Sequence, residues 1–518
     1  MRWTRAAVLA STLSIVIAGC GVGPSDRPGV AVERPAVGGG PVTEETTPAE
    51  PPRAELPQSD LSWTDCTEPT MRLLGLGPAP EGLVLECAEY STPIDAAGSV
   101  IGNFRNGAMR ARLAQTPADV APLVLTSGTD RSSTATLAGL AVGATIGLLA
   151  ERPIVAVDRR GIGTSQPIDC LPLDVRQDLT DHAQFGPGTD PVTAMGELSQ
   201  EATISCRDFL QPYESTFDAS HAADDIEQLR MQWQVEHIDM IGTGNGAVVA
   251  LAYARKYGDH LARLVLDAPE AVATDAVTRQ EQQLRGTEAA LTAFAQRCVV
   301  TGCALGADPR AAVADLARRA GAGELGDLSE AALLTTITGF LGAPRADQST
   351  RVAELADALV AAGAGDRTAL DNLVLRETAA TEGDGQFVNR CTDTQQPPTA
   401  TKAAELAQTW GGTYPVFGRQ AAIGLMTCSA WPVSEPPATL DDLTIPVLVL
   451  TGVADPVVGE GGQSSVTGVL GGAGARHATV SWQGWGHPVL PHSGCAQRIV
   501  SDYLKDAKLP RDGSACPA

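Results

Sequence analysis

A chain of 518 residues that is 43% hydrophobic can bury a sizeable core, in one elaborated domain or two to three simple ones. Aromatic residues are only 4%, so that core must be built from Leu, Val, Ile and Ala. The formal net charge of −24 argues against nucleic acid as a partner and against electrostatic attachment to an anionic membrane surface.

The first residues read as an address. Arg2 and Arg5 precede a mainly apolar run from Ala6 to Ala18. That run is shorter than the roughly 20 residues needed to span a bilayer and suits a secretory signal. It ends in Ile17-Ala18-Gly19-Cys20, which resembles a bacterial lipobox, where cleavage leaves the Cys as a lipid-modified N-terminus. The alternative is an ordinary signal with an incidental Cys. The expectation is a signal peptide over 1–20, lipid on Cys20, and anchoring to the outer face of the cell membrane through that lipid alone. Residues 21–60 are Gly- and Pro-rich and cannot bury enough apolar surface to order themselves, so they are expected to be a disordered tether.

Of eleven cysteines, ten remain after Cys20: Cys66, Cys87, Cys170, Cys206, Cys298, Cys303, Cys391, Cys428, Cys495 and Cys516. An even number in an exported chain implies disulfides. There is no Cys-x-x-Cys pair or His/Cys cluster with zinc spacing, so neither metal nor cofactor is expected. Ten cysteines permit many pairings; the simplest is sequential.

Beyond the tether, Leu83–Tyr90 and Ser99–Phe104 read as opening strands. Ala121–Thr126 and Pro153–Asp158 are short apolar runs, as buried parallel strands should be. Ser220–Gln234 reads as an amphipathic helix, His237–Thr243 as a strand, Ala247–Tyr257 as a helix and Arg263–Asp267 as a strand. From 271 to 440 the pattern is Ala/Leu-rich helix with no strand series. Strands return at Ile445–Thr451 and Ala478–Trp482, and Ser493–Leu504 closes as a helix. Alternating strands and helices mean a doubly wound, mostly parallel sheet. The core is then 61–270 and 441–518, with 271–440 inserted into it as a helical cap.

The strand before residue 244 ends in Gly242-Thr243-Gly244-Asn245-Gly246. This has the frame of the Gly-x-Ser-x-Gly nucleophile elbow, a tight strand-to-helix turn that holds a serine hydroxyl above the sheet edge. Its central position here is Gly244. A phosphate-binding loop also follows a strand and precedes a helix, but the dinucleotide spacing and the closing Lys-Ser/Thr are both missing. Two further residues fall where such a sheet places chemistry. Asp455 follows strand 445–451 within a turn, and His487 follows strand 478–482. The order 244, 455, 487 is the order nucleophile, acid, histidine of α/β-hydrolases.

From about Trp63 onward the chain resembles the actinobacterial secreted tripeptidyl aminopeptidases, α/β-hydrolases of the prolyl aminopeptidase type. The resemblance rests on Trp63-x-x-Cys66, on Val157-Asp158-Arg159-Arg160-Gly161-x-Gly163-x-Ser165-x-Pro167, and on the elbow with Ala252-Tyr253-Ala254 behind it. It also rests on Arg263-x-Val265-Leu266-Asp267, Cys298-x4-Cys303-x-Leu305-Gly306, and a C-terminal set of Asp455-Pro456, Gly486-His487, Ser493-x-Cys495, Tyr503-Leu504 and Cys516. It implies that Asp455 and His487 are the acid and histidine of a serine triad and that the helical insertion shapes a substrate pocket.

Two departures accompany it. The family's serine falls on Gly244, and its Gly-Gly-Pro-Gly oxyanion loop falls on Gly128-Thr129-Asp130-Arg131. The oxyanion donors would be the N–H groups of Asn245 and Thr129. Thr243 precedes the apex and should point away from His487, and the serine's place is expected to be open or to hold a water. Losing one triad member costs about 10⁴–10⁶ in turnover. The reading is a monomeric pseudoenzyme that binds peptides or a cell-envelope partner. Its alternative is a hydrolase in which His487 and Asp455 activate water on a peptide or ester.

Overall fold

In a computed structural model the described residues are 51–143, 147–186, 190–344, 347–433 and 439–518. Cys20, the expected signal peptide over 1–20 and residues 21–50 lie outside them. Among the described residues ten strands form one sheet in the order β1-β2-β3-β5-β4-β6-β7-β8-β9-β10. They are β1 Thr64–Asp65, β2 Leu83–Pro93, β3 Asn103–Leu113, β4 Leu123–Thr126, β5 Ile154–Val157, β6 Ile238–Thr243, β7 Leu261–Asp267, β8 Val447–Ala454, β9 His477–Trp485 and β10 Ser514–Cys516. The first three and the β3–β5 pairing are antiparallel, and every pairing from β5 to β10 is parallel.

β4 to β7 are buried at every position, because helices cover both faces of the sheet. Met240, Leu264 and Val449 pack one face against helices Ala219–Trp233 and Gly246–Tyr257. Ile241, Val265 and Leu448 pack the other against helices Ser133–Ala141 and Gly494–Asp506. This is an α/β-hydrolase sheet with its helices wound on both sides.

Three expectations are corrected. The expected strand Ser99–Phe104 lies mostly in a turn, and the real strand, β3, runs from Asn103 to Leu113. Its burial is mixed along its length, so it does not show as a continuous apolar run. Second, the expected tether does not reach residue 60. The Glu55 and Gln58 N–H groups donate to the carbonyls of His237 (3.2 Å) and Trp233 (2.9 Å), and Leu61 is buried. Residues 52–60 are therefore held on the body by backbone hydrogen bonds rather than by burial of side chains.

Third, the cap has two pieces. Helices from Ala276–Thr301 to Gly418–Gly424 make up the expected insertion and bury their own core, including Phe294, Leu333 and Phe340. A second piece, helices Leu173–Thr180 and Pro191–Leu210, enters between β5 and β6. Its Val192, Met195, Ala202 and Cys206 pack with Phe387, Val388, Cys391 and Trp431 of the larger piece. The long helix Ala276–Thr301 starts at Asp275, whose carboxylate accepts from Thr278 N–H, and stops at Gly302 in the left-handed region.

The ten cysteines pair in sequence: 66–87, 170–206, 298–303, 391–428 and 495–516. The second and fourth bridges staple the two cap pieces internally. The last joins helix Gly494–Asp506 to β10. Among the described residues no helix is long and apolar enough to cross a membrane.

Candidate active site

β6 runs into helix Gly246–Tyr257 through a turn with Gly244 at its apex. Gly244 has φ +57°, the left-handed backbone an elbow demands and glycine adopts without strain. The turn is pinned from below: Gly244 N–H donates to Asp267 O at 3.1 Å, and Gly244 O accepts from Glu270 N–H at 3.0 Å. A Cβ at Gly246 would lie 2.2 Å from Thr126 O, so the helix starts hard against the end of β4. The frame of a nucleophile elbow is present in full, and the nucleophile is not.

Asp455 and His487, the expected acid and histidine, are brought side by side. Asp455 follows β8, is fully buried, and its Oδ2 lies 2.8 Å from His487 Nδ1. Its Oδ1 accepts from the N–H groups of Val457 (2.8 Å) and Val458 (3.0 Å), which fixes the carboxylate. His487 is held on two further sides. Its N–H donates to Gly342 O at the end of a cap helix (3.2 Å), and the loop after it is anchored on Asp267. The Asp267 carboxylate accepts from Val489 N–H (3.0 Å) and Leu490 N–H (3.1 Å). Burial pushes the Asp267 carboxyl up to about 7, against the pull of those two donors and of His487.

The other ring nitrogen of His487 changes the chemistry. A Cβ on residue 244 would stand 3.1 Å from His487 Nε2, as expected of a serine's position. The same Cβ would also be 3.4 Å from Asp130 Oδ1. Asp130 Oδ2 lies 3.5 Å from His487 Nε2, an ion pair rather than a formed hydrogen bond. The expected open space is therefore bordered by a carboxylate from the oxyanion loop. Burial opposes charge on the ring, but Asp455 and Asp130 outweigh it, and His487 is pushed up to about 10. A ring held in its protonated form has no lone pair to accept a proton from serine or water.

Asn245 and Thr129 flank the apex. Gly128 must be glycine, because a Cβ there would come 2.1 Å from the Asn245 Cβ. The Asn245 side chain is engaged at both ends: Oδ1 accepts from Arg159 (2.8 Å) and Nδ2 donates to Glu270 (2.6 Å). Neither the Thr129 nor the Asn245 N–H makes a backbone hydrogen bond among the described residues, so both stay free as donors.

The Asp158-Arg159-Arg160 motif is the scaffold under this loop. Asp158 accepts from Thr134 N–H (2.9 Å) and Thr164 N–H (2.7 Å), tying the end of the oxyanion loop to the turn after β5. Arg159 also donates to Asp393 of the cap (2.8 Å) and to Phe217 O (2.9 Å). Arg160 makes a two-pronged pair with Asp225, both bonds at 2.9 Å.

A cavity of about 390 Å³ opens above the apex, lined by Thr129, Asp130, Asn245 and His487 from the core. Leu334, Pro344 and Leu425 line it from the cap, together with Arg279 and Arg390. The sequence identified Gly244, Asn245, Thr129, Asp455 and His487, and the fold gathers all five around this floor. It did not identify Asp130 as the partner of His487, nor Asp267 as the support of the histidine loop. Elsewhere, Glu55, Glu236 and His237 cluster near the surface with spacing a metal could use; the Glu55 carboxylate is already held by Glu236 N–H at 2.9 Å.

Parts of the chain resemble known proteins. Residues 414–516 match the family model described as TAP-like protein. The chain is 23% identical over 401 residues to serine protease Hip1 of Mycobacterium tuberculosis, covering 70% of this chain and 74% of the relative. Solved structures that resemble it include a thermophilic esterase from Thermogutta terrifontis, with 15% identity and a TM-score of 0.35, over 80% of this chain and 98% of the esterase. Another is 2-hydroxy-6-oxo-6-phenylhexa-2,4-dienoate hydrolase from Rhodococcus sp. strain RHA1, with 13% identity and a TM-score of 0.36, over 78% of this chain and 92% of the hydrolase.

Proposed function

We propose that this tripeptidyl-aminopeptidase-like α/β-hydrolase is an exported lipoprotein that has given up serine catalysis and uses its capped pocket to bind peptides or a cell-envelope partner. One observation carries the reading: the apex of the elbow is Gly244, and the histidine facing it is clamped between Asp455 and Asp130. The first removes the nucleophile and the second removes the base. Export and lipid attachment at Cys20 are supported by the lipobox-like sequence and by five bridges that suit an oxidising compartment.

The same clamp weakens the alternative, hydrolysis by water activated on His487. Activation needs a neutral imidazole, and two carboxylates keep the ring charged until about pH 10. The purified protein tests this directly. Incubation with a fluorophosphonate should label no serine, and tripeptide and ester substrates should not turn over at pH 7.5. A labelled serine, or turnover abolished by His487→Gln, overturns the proposal.

A further inference from the structure

We infer that the floor of the pocket is a binding site for a primary ammonium group carried on an apolar body, with Asp130 as its anchor. The inference rests on the proposed loss of serine chemistry and names the ligand class for the same site.

Most of the charges at this floor are already matched. Arg131 pairs with Glu377 at 2.8 Å, Arg159 with Asp393 at 2.8 Å, Arg279 with Glu270 at 3.3 Å and Arg390 with Glu382 at 3.8 Å. His487 pairs with Asp455 at 2.8 Å. Among the described residues Asp130 has no cation of its own. It shares His487 from the opposite side at 3.5 Å, and neither of its oxygens makes a hydrogen bond among the described residues. Its Oδ1 is buried without a partner, as is Nε2 of His487, itself more than nine-tenths buried. A buried acceptor left unpaired is costly, and at 3.5 Å the His487 ring does not satisfy this one.

The order of charges points the same way. Asp455, His487 and Asp130 form a line of negative, positive and negative groups whose sum is negative, and the line ends at the cavity. The Asp130 side chain is 25% exposed, so the carboxylate can be reached from the cavity. A cation placed there completes the alternation, and an ammonium supplies the missing donors. A carbonyl or carboxylate placed there meets a carboxylate instead. The Asp130 carboxylate thus opposes an oxyanion at a place where the Thr129 and Asn245 N–H groups alone would favour one. Above the floor, Leu74, Leu76, Ala343, Pro344, Leu334 and Leu425 offer an apolar wall for the rest of the ligand.

Calorimetric titration of the full protein at pH 7.5 tests this with matched probes: phenethylamine, 2-phenylethanol and 3-phenylpropionate. The amine should bind at least tenfold more tightly than the alcohol, and the carboxylate weakest of the three. Asp130→Asn should erase the preference for the amine. A parallel pair, the tripeptide Phe-Ala-Ala and its N-acetyl form, separates a peptide N-terminus from a free small amine: a preference for the unblocked peptide assigns the former, and binding of phenethylamine alone assigns the latter. The inference is overturned if alcohol and amine bind equally, if the carboxylate binds best, or if a folded Asp130→Asn keeps the preference. The wild-type comparison decides the matter even if that variant does not fold. Fluorophosphonate labelling of the natural protein reports separately on the loss of serine chemistry.

Discussion

Restoring the serine should restore little by itself, and the size of the deficit follows from the clamp. In Gly244→Ser the new Cβ stands 3.1 Å from His487 Nε2, at the elbow position of a nucleophile, on backbone with φ +57°. That conformation costs a non-glycine residue about 1–3 kcal/mol, which a folded protein of this size can absorb. With His487 raised to about 10, only about 0.3% of the ring is neutral at pH 7.5, a deficit of roughly 300-fold in base. Asp130 is the removable part of that shift. A unit charge at 3.5 Å is worth ~5 kcal/mol at an effective dielectric of about 20. With a quarter of the Asp130 side chain exposed, water screening brings this to roughly 2–3 kcal/mol, or about two pKa units. Gly244→Ser/Asp130→Asn should therefore react with a fluorophosphonate roughly a hundredfold faster than Gly244→Ser at pH 7.5. The single variant should gain about tenfold in rate per pH unit up to about pH 10. If Gly244→Ser is folded and reacts as fast as the double variant, with a flat pH profile, the clamp does not exist.

The remaining predictions concern anchoring, staples and pH. Cys20→Ala should release the protein from the membrane fraction or leave an uncleaved precursor, read by fractionation and intact mass; correctly processed protein that stays membrane-bound would falsify the lipobox reading. Removing the bridge between Cys391 and Cys428 should cost about 3–4 kcal/mol in denaturant unfolding, since it closes a loop of 37 residues. An unchanged midpoint would show that the bridge does not staple the cap. His487 has a folded-state value of about 10 against an ordinary 6.5, so its stabilising contribution is complete below pH 6.5 and lost as pH rises through 10. Asp455, Asp130, Asp267 and His492 all bear on this ring. Wild type should exceed His487→Gln in stability by up to about 5 kcal/mol at pH 6, and the gap should close towards pH 10. A gap that widens with pH contradicts the assignment.

The parallel half of the sheet was legible because its strands are buried on both faces and read as apolar runs, as at Leu123–Thr126 and Val447–Ala454. Asp455 and His487 were legible because they follow such runs in the order the fold requires. The hairpin strand Asn103–Leu113 was not, because polar and apolar residues mix along it and no run stands out. The second cap piece carried a signal that was available. Val192, Met195, Leu198, Ala202, Cys206 and Leu210 recur at helical spacing and are all buried. Asp130 is a different case. The sequence showed a carboxylate in the expected oxyanion loop, but only the tertiary fold brings β4 and the loop after β9 together across Gly244. Its pairing with His487 is a property of the sheet order, and no local pattern encodes it.

The most direct measurement is the titration of the His487 ring, followed by NMR in protein labelled with ¹⁵N at histidine and assigned by comparison with His487→Gln. The clamp predicts that both ring nitrogens stay protonated through the neutral range, with the midpoint near 10. A ring that titrates near its ordinary 6.5 would contradict the account at its centre, because His487 would then be a free base facing an empty elbow.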